Sequence, residues 1–245
     1  MFVDAHCHLD LFPDPKSILS VMGRSQVQVL AMTNAPFVFE RCCELVEGYS
    51  SVNVALGLHP ELAFEYKDQL DLFQTLLPKT KFIGEVGLDY MTSDKRDRQH
   101  QKRVFERIVE MCSAAEDKVL SVHTRRSASD ALSILNGFKG KFILHWFSGT
   151  DSELKSAHNI GAYFSVNAKM MQSKRGRMLV GKMDSSRVVT ETDAPLAKRS
   201  PEIKYPDELE FTVGELANLW GRSIWQTKHD IMNNYSVFVE NVYRE

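Results

Sequence analysis

Six side chains of the kinds that bind divalent cations stand at widely spaced points of this 245-residue chain. His6 and His8 lie in DAHCHLD, Glu85 in GEVGLDY, His123 in SVHTRR, His145 in LHWFSG and Asp193 in TETDAP. Imidazole nitrogens mixed with carboxylate oxygens suit Mg²⁺, Mn²⁺ or Zn²⁺. One catalytic ion needs three or four protein ligands and an open position. Six candidates exceed that and point to two divalent ions. Glu85 would bridge them, His6, His8 and Asp193 would complete one shell, and His123 and His145 the other. Two such ions carry four positive charges and the carboxylates return two, so a remainder of about +2 suits an anionic phosphodiester. Asp193 is then the group expected to orient or deprotonate the attacking water, giving it and Glu85 catalytic roles.

Residues as distant as 6 and 193 can share a centre only if the fold gathers them. Short β-rich runs cover 2–6, 27–33, 52–58, 81–88, 119–124, 141–146, 163–168 and 187–192. Helical patterns lie between them, at 17–24, 36–48, 62–77, 95–117, 127–137, 152–160 and 174–183, and two more follow near 210–220 and 224–239. The clearest is 95–117, where Val104, Ile108, Met111 and Ala115 recur at helical spacing. Ser127 and Asp151 precede helical runs as N-caps, and Gly137, Gly161 and Gly221 stand where helices should stop. Such alternation predicts an α/β fold of the (β/α)₈ barrel type, one domain over residues 1–245. The rival open doubly wound sheet would normally carry a Gly-rich phosphate turn after its first strand, where this chain has His-Cys-His. All six ligand candidates fall at C-terminal ends of predicted strands, the face on which barrel active sites are built.

Alternation along a strand refines the picture. His6 and His8 are two residues apart and share a face, which sends Cys7 toward the helical layer. Glu191 and Asp193 share a face by the same rule, as do His123 and Arg125. His100, His158 and His229 lie in polar helical surroundings and read as surface residues.

Composition sets outer limits. Hydrophobic residues make up 43% and charged residues 25%, and 30 basic against 32 acidic side chains leave a net charge of −2. These values fit a globular domain and exclude a polycation that coats nucleic acid. No run approaches the roughly 20 apolar residues that span a bilayer, so no membrane association is expected. MFVDAHCHLD lacks a signal-peptide pattern, and the four cysteines form no CxxC pair, so a cytoplasmic protein with reduced thiols is expected.

In this order, DAHCHLD (4–10), GLHP (57–60), GEVGLDY (84–90), VHTRRSA (122–128), LHWFSG (144–149) and ETDAP (191–195) resemble the TatD family of metal-dependent hydrolases and nucleases. The resemblance implies an amidohydrolase-like TIM barrel, two divalent metals and hydrolysis of DNA phosphodiesters, often from 3′ to 5′. Carried over by motif, it makes His6, His8, Glu85, His123, His145 and Asp193 the metal ligands and maps the family's HxR pattern onto His123 and Arg125. A narrower likeness, in LHWFSG, YFSVNAKMM and the Gly-Arg pair at 176–177, is to TatD-type proteins of Qat anti-phage defence operons. It implies a defence role with other Qat proteins as partners. The chain departs from the wider family at Trp146, where Cys is commoner. It departs again after the eighth strand, where LAKRSPEIKYPDE replaces a basic Arg-Gly-x-x-Asn segment. The second departure bears on substrate handling more than on metal binding.

Four residues are expected to touch substrate. His59 ends the third strand on the metal face, as a contact to substrate or metal-bound water. Arg125 offers a planar fork of donors to a phosphate oxygen. Lys198 and Arg199, with Lys95, Arg96, Arg98 and Arg126, are basic residues in loops of the same face, and DNA with single-stranded or 3′ ends is the expected partner. Trp146, Phe147 and Tyr90 are candidates for stacking on bases. Two competing functions use the same scaffold: a small-molecule amide or phosphate hydrolase, and a non-catalytic docking subunit. Related barrels acting on amides often bridge their metals with a modified Lys at the place of Glu85, which favours the phosphodiester.

Overall fold

The computed structural model describes residues 1–197 and 205–240. Eight parallel strands form the centre: β1 (Phe2–Cys7), β2 (Val27–Met32), β3 (Val52–Ala55), β4 (Phe82–Asp89), β5 (Val119–Arg125), β6 (Lys141–His145), β7 (Tyr163–Val166) and β8 (Val188–Thr190). Around them run α1 (Pro15–Arg24), α2 (Phe39–Leu45), α3 (Leu70–Leu76), α4 (Lys95–Ala115), α5 (Ala128–Leu135), α6 (Asp151–Asn159), α7 (Ala168–Gln172), α8 (Lys174–Val180), α9 (Asp207–Trp220) and α10 (Ile224–Val239). No described helix is long and apolar enough to cross a membrane.

Ladder pairing runs β1-β2-β3 and β4-β5-β6-β7-β8, and two seams close the ring. At the first, Leu56 N–H donates to Phe82 O (3.0 Å), Gly84 N–H to Leu56 O (2.9 Å) and Leu58 N–H to Glu85 O (3.1 Å). At the second, Asp193 N–H donates to His6 O (2.9 Å) and His8 N–H to Ala194 O (2.8 Å). The expected (β/α)₈ barrel is therefore the observed fold.

The second seam has a buried clasp. Asp4 accepts from Thr192 N–H (2.8 Å) and the Thr192 hydroxyl (2.7 Å). Burial pushes its carboxyl up to about 7, against the pull of those hydrogen bonds. Asp4→Ala leaves a buried amide and hydroxyl unpaired, and at about 1–3 kcal/mol for each orphan should cost about 2–6 kcal/mol in chemical denaturation. Asp4→Asn, which can still accept, should cost less. A loss below about 0.5 kcal/mol for the alanine variant would show that the clasp does not hold the seam.

Several boundaries differ from the pattern. The helix expected over 62–77 is a 3₁₀ turn at Pro60–Leu62, another at Lys67–Gln69, and only then α3. The stretch 36–48 opens with a 3₁₀ turn, Pro36–Val38, before α2. Strands β3 and β8 are shorter than their apolar runs because their last residues pair with neighbours as isolated bonds rather than as ladder. Thr150, not Asp151, caps α6: its hydroxyl accepts from Glu153 N–H (3.2 Å), while the Glu153 carboxylate accepts from Thr150 N–H (2.7 Å). Ser127 does precede α5, but its hydroxyl bonds to Leu88 O (2.7 Å) and so ties α5 to β4. Gly137, Gly161 and Gly221 have φ of 88°, 82° and 64° and end helices as expected.

Candidate metal centre

The strands deliver the ligand candidates to one point at their C-terminal ends. Register shifts in β1 between Asp4 and Cys7, and in β4 between Ile83 and Val86, lie where His6 and Glu85 emerge, and bulges of this sort re-aim side chains. Gly87 pairs with His123 across β4 and β5. A Cβ at Gly87 would lie 2.2 Å from His123 O, so only glycine lets β5 bring His123 against Glu85. Cys7 points the other way, into a buried cluster with Leu19, Met22 and Leu209, and its thiol donates to Ala194 O.

Glu85 organises the rest. One carboxylate oxygen, Oε2, lies 3.4 Å from His6 Nε2 and 3.3 Å from His8 Nε2. These two nitrogens are 3.3 Å apart, and Asp193 Oδ1 is 3.3 Å from the second and 3.9 Å from the first. Ligand atoms about 2.1 Å from a tetrahedral ion are about 3.4 Å from one another. The spacing of these four atoms thus matches a coordination shell. The other oxygen, Oε1, lies 2.6 Å from His123 Nδ1, 3.2 Å from His145 Nε2 and 3.6 Å from His59 Nε2. The donor set and its spacing fit divalent metal.

Outer partners fix which ring nitrogen faces inward. His6 Nδ1 bonds to Ser121 Oγ (2.8 Å), His145 Nδ1 to Glu191 Oε2 (3.2 Å) and His123 Nε2 to Asp89 Oδ2 (2.8 Å). Glu191 is itself held by Asn167 Nδ2 (2.8 Å) and by the Ser165 hydroxyl. Carboxylates behind histidines in this way orient metal ligands and raise their basicity. Asp89 and Glu191 were not singled out as site residues in the sequence, although period-2 alternation from Glu85 and from Asp193 leads to both.

His59 behaves differently. Burial lowers its pKa to about 4, so the ring is neutral at pH 7. Its Nδ1 accepts from Glu61 N–H (3.2 Å), which leaves the proton on Nε2, the nitrogen facing Glu85. A protonated nitrogen donates rather than ligates, so in this tautomer His59 presents a donor to the cleft rather than a seventh ligand atom.

The centre is electrostatically tight. Burial works against the charge of Glu85, but His59, His145, His6 and His123 hold its carboxyl well below the usual range. Burial, with His145 nearby, lowers His6 to about 3. Burial also opposes charge on His8, yet hydrogen bonds to Asp193 and Glu85 lift it to about 9. His145 is raised well above its ordinary value by Glu191 and Glu85, against burial. Protons on His8 and His145 therefore offset part of the carboxylate charge at neutral pH. Ligation needs neutral imidazole, so loading with metal should release protons, and affinity should rise with pH up to about 9 by about tenfold per unit for each proton released. Calorimetry in buffers of different ionisation enthalpy checks this; a heat independent of buffer would contradict it.

Above the carboxylates lies a cleft of about 430 Å³ lined by His59, Arg125, Trp146, Ser148, Asp193 and Leu196, among others. Trp146 and Asp193 hold φ of 40° and 52°, left-handed values that cost side-chain-bearing residues energy and cluster at functional sites. Arg125 is 55% exposed at the cleft and 3.9 Å from Asp89. Lys198 and Arg199 lie outside the described residues. Other expected contacts are occupied elsewhere. Phe147 is buried and packs edge-on against Phe164. The Tyr90 hydroxyl bonds to Asp130 (2.7 Å). Arg98 stacks on Tyr90 and donates to Thr92 O and Tyr90 O, while Arg96 pairs with Asp94 (3.4 Å). His100 bonds to Ala63 O, His158 accepts from Asp184 N–H and His229 stacks on Trp225, all away from the centre.

Known proteins resemble this chain over most of its length. Human deoxyribonuclease TATDN3 is 25% identical over 243 residues, covering 91% of this chain and 88% of that protein. Human TATDN2, described as a 3′-5′ RNA nuclease, is 27% identical over 266 residues, covering 96% of this chain and 34% of that protein. In fold, the crystal structure of the Escherichia coli TatD homologue YjjV superposes with a TM-score of 0.85 at 21% identity, over 97% of both chains. The family model described as TatD related DNase matches residues 3–240, and the chain belongs to the TatD family of metal-dependent hydrolases and nucleases.

Proposed function

We propose that this chain, acting as one hydrolase domain over residues 1–245, is a deoxyribonuclease with two divalent ions, Mg²⁺ or Mn²⁺ in work and Zn²⁺ as a tolerated occupant. Its substrate is DNA with unpaired ends, degraded from 3′ to 5′. One observation carries this reading: the two oxygens of Glu85 face different sets of nitrogens at ligand spacing, beneath a cleft of about 430 Å³. The names of the human relatives, a deoxyribonuclease and a 3′-5′ RNA nuclease, support the substrate class.

His6, His8, Glu85 and Asp193 would hold one ion, and Glu85, His123 and His145 the other. Bound there, the ions supply Lewis acidity, an activated water and charge neutralisation at the phosphate. The protein does the rest. Asp193 takes the proton of the attacking water. Arg125 clamps a non-bridging phosphate oxygen with its guanidinium fork. His59 donates its Nε2 proton to a substrate oxygen. Trp146, half-buried beside His145 with their rings at 80°, supports an unstacked base. Lys198 and Arg199 hold the DNA backbone. The likeness to TatD-type Qat proteins supports a role in anti-phage defence in the cytoplasm, alongside other Qat proteins.

The test is a digestion panel with Mg²⁺, Mn²⁺ and Zn²⁺ on 3′- and 5′-labelled single- and double-stranded DNA, on RNA and on a small phosphodiester. Metal-dependent loss of 3′-terminal nucleotides from single strands is expected. Turnover of the small ester alone would select a small-molecule hydrolase instead, and faster loss of RNA would move the substrate to RNA.

A further inference from the structure

Beside the catalytic cleft lies a second cavity, of about 450 Å³, between the loop after β6 and helix α8. Lys174, Arg175 and Met178 line one wall from α8, Lys182 follows just beyond it, and Gly149 and Asp151 face them. Three cations against one carboxylate leave this wall net positive in a chain whose overall charge is −2.

The two cavities adjoin. Arg175 Nη2 donates to Ser148 O (3.1 Å), and Ser148 also lines the catalytic cleft. The chain between them is bare backbone at Gly149, where a Cβ would lie 2.5 Å from the Phe147 ring. Lys182 pairs with Asp151 (2.5 Å), but that pair is 47% and 71% exposed, and such pairs are worth little and exchange readily for phosphate. Lys174 has no ion pair among the described residues. Met178, 58% exposed, adds a soft apolar surface for a sugar or base.

A cavity on the opposite flank also sets three cations, Lys95, Arg98 and Lys102, against one carboxylate, Asp130, but there Arg98 donates to two backbone carbonyls and stacks on Tyr90, whereas Arg175 donates to one.

We propose that the cavity between the β6 loop and α8 is a second backbone-phosphate site. It holds the body of a single strand whose terminal nucleotide occupies the metal centre, so that the strand leaves the cleft over Trp146 and Ser148. This rests on the nuclease reading and adds a binding site and a direction to it.

The variant is Lys174→Glu/Arg175→Glu, both exposed positions, with Lys174→Gln/Arg175→Gln as a milder second. Two readings are taken. One is KM and kcat on oligothymidylates of two to twelve nucleotides and on a small phosphodiester. The other is anisotropy of a labelled dodecathymidylate in chelator across a salt series, which needs no catalysis. The wild-type KM should fall as the strand lengthens. In the Glu variant, KM for the longest strand should rise at least about tenfold, with the dinucleotide and the small ester unchanged. The salt slope should fall by about 1.4, for two lost phosphate contacts at about 0.7 each. An unchanged salt slope, or equal losses on long and short substrates, would overturn the proposal. Failure of the nuclease reading would look different: wild-type protein that cleaves no phosphodiester but still binds the strand through Lys174 and Arg175.

Discussion

Asp193→Asn should lower turnover on DNA by about 10²–10⁴-fold, the range for losing a general base, in a protein that stays folded. The backbone of Asp193 is anchored independently of its carboxylate: its N–H donates to His6 O and its carbonyl accepts from Leu196 and Ala197 N–H. Asparagine tolerates the left-handed conformation found there and keeps an oxygen for the position 3.3 Å from His8 Nε2. It cannot take a proton from water. The loss should therefore fall on kcat, with KM for DNA changing much less, because Arg125 and the remaining ligands still meet the phosphate. Single-turnover rates at saturating Mn²⁺, with thermal melting as a control on folding, separate this from a structural aspartate, whose loss would lower the melting temperature and spare the rate.

Glu85→Gln should be at least as damaging, by about 10³-fold or more, because it removes a charge shared by both proposed ions rather than a proton acceptor beside one. The carboxamide offers one oxygen where both carboxylate oxygens are used. Raising Mn²⁺ should recover little activity, since no concentration restores the bridge. Recovery to near wild-type rates at high Mn²⁺ would mean that Glu85 tunes affinity without bridging.

Much of this centre was legible in the sequence because strand ends and period-2 alternation are local properties. His6 and His8 read as a pair, with Cys7 between them turned outward, and the structure places that thiol in the layer between β1 and α1. Glu85, His123, His145 and Asp193 follow from their places at strand ends. What stayed hidden depends on packing between distant segments. Asp89 and Glu191 lie on the faces that alternation assigns them, but only the assembled barrel sets one behind His123 and the other behind His145. Arg98 and Tyr90 look free in sequence and are drawn into one network with Asp130. The stretch 62–77, an apolar pattern that reads as continuous helix, is broken into two turns and a short helix. The basic wall of α8 meets the cleft only through tertiary packing, since the Ser148 carbonyl that Arg175 reaches lies 27 residues away.

Counting bound metal distinguishes a two-ion centre bridged by Glu85 from a single site. Protein stripped with chelator, reloaded with Mn²⁺ and passed through gel filtration should carry two equivalents per chain by elemental analysis. Cys7→Ser should also carry two, His6→Ala/His8→Ala should retain the ion between His123 and His145 and so carry one, and Glu85→Gln should carry fewer than one. A single equivalent in the unaltered protein, or a count unaffected by loss of His6 and His8, would contradict the account.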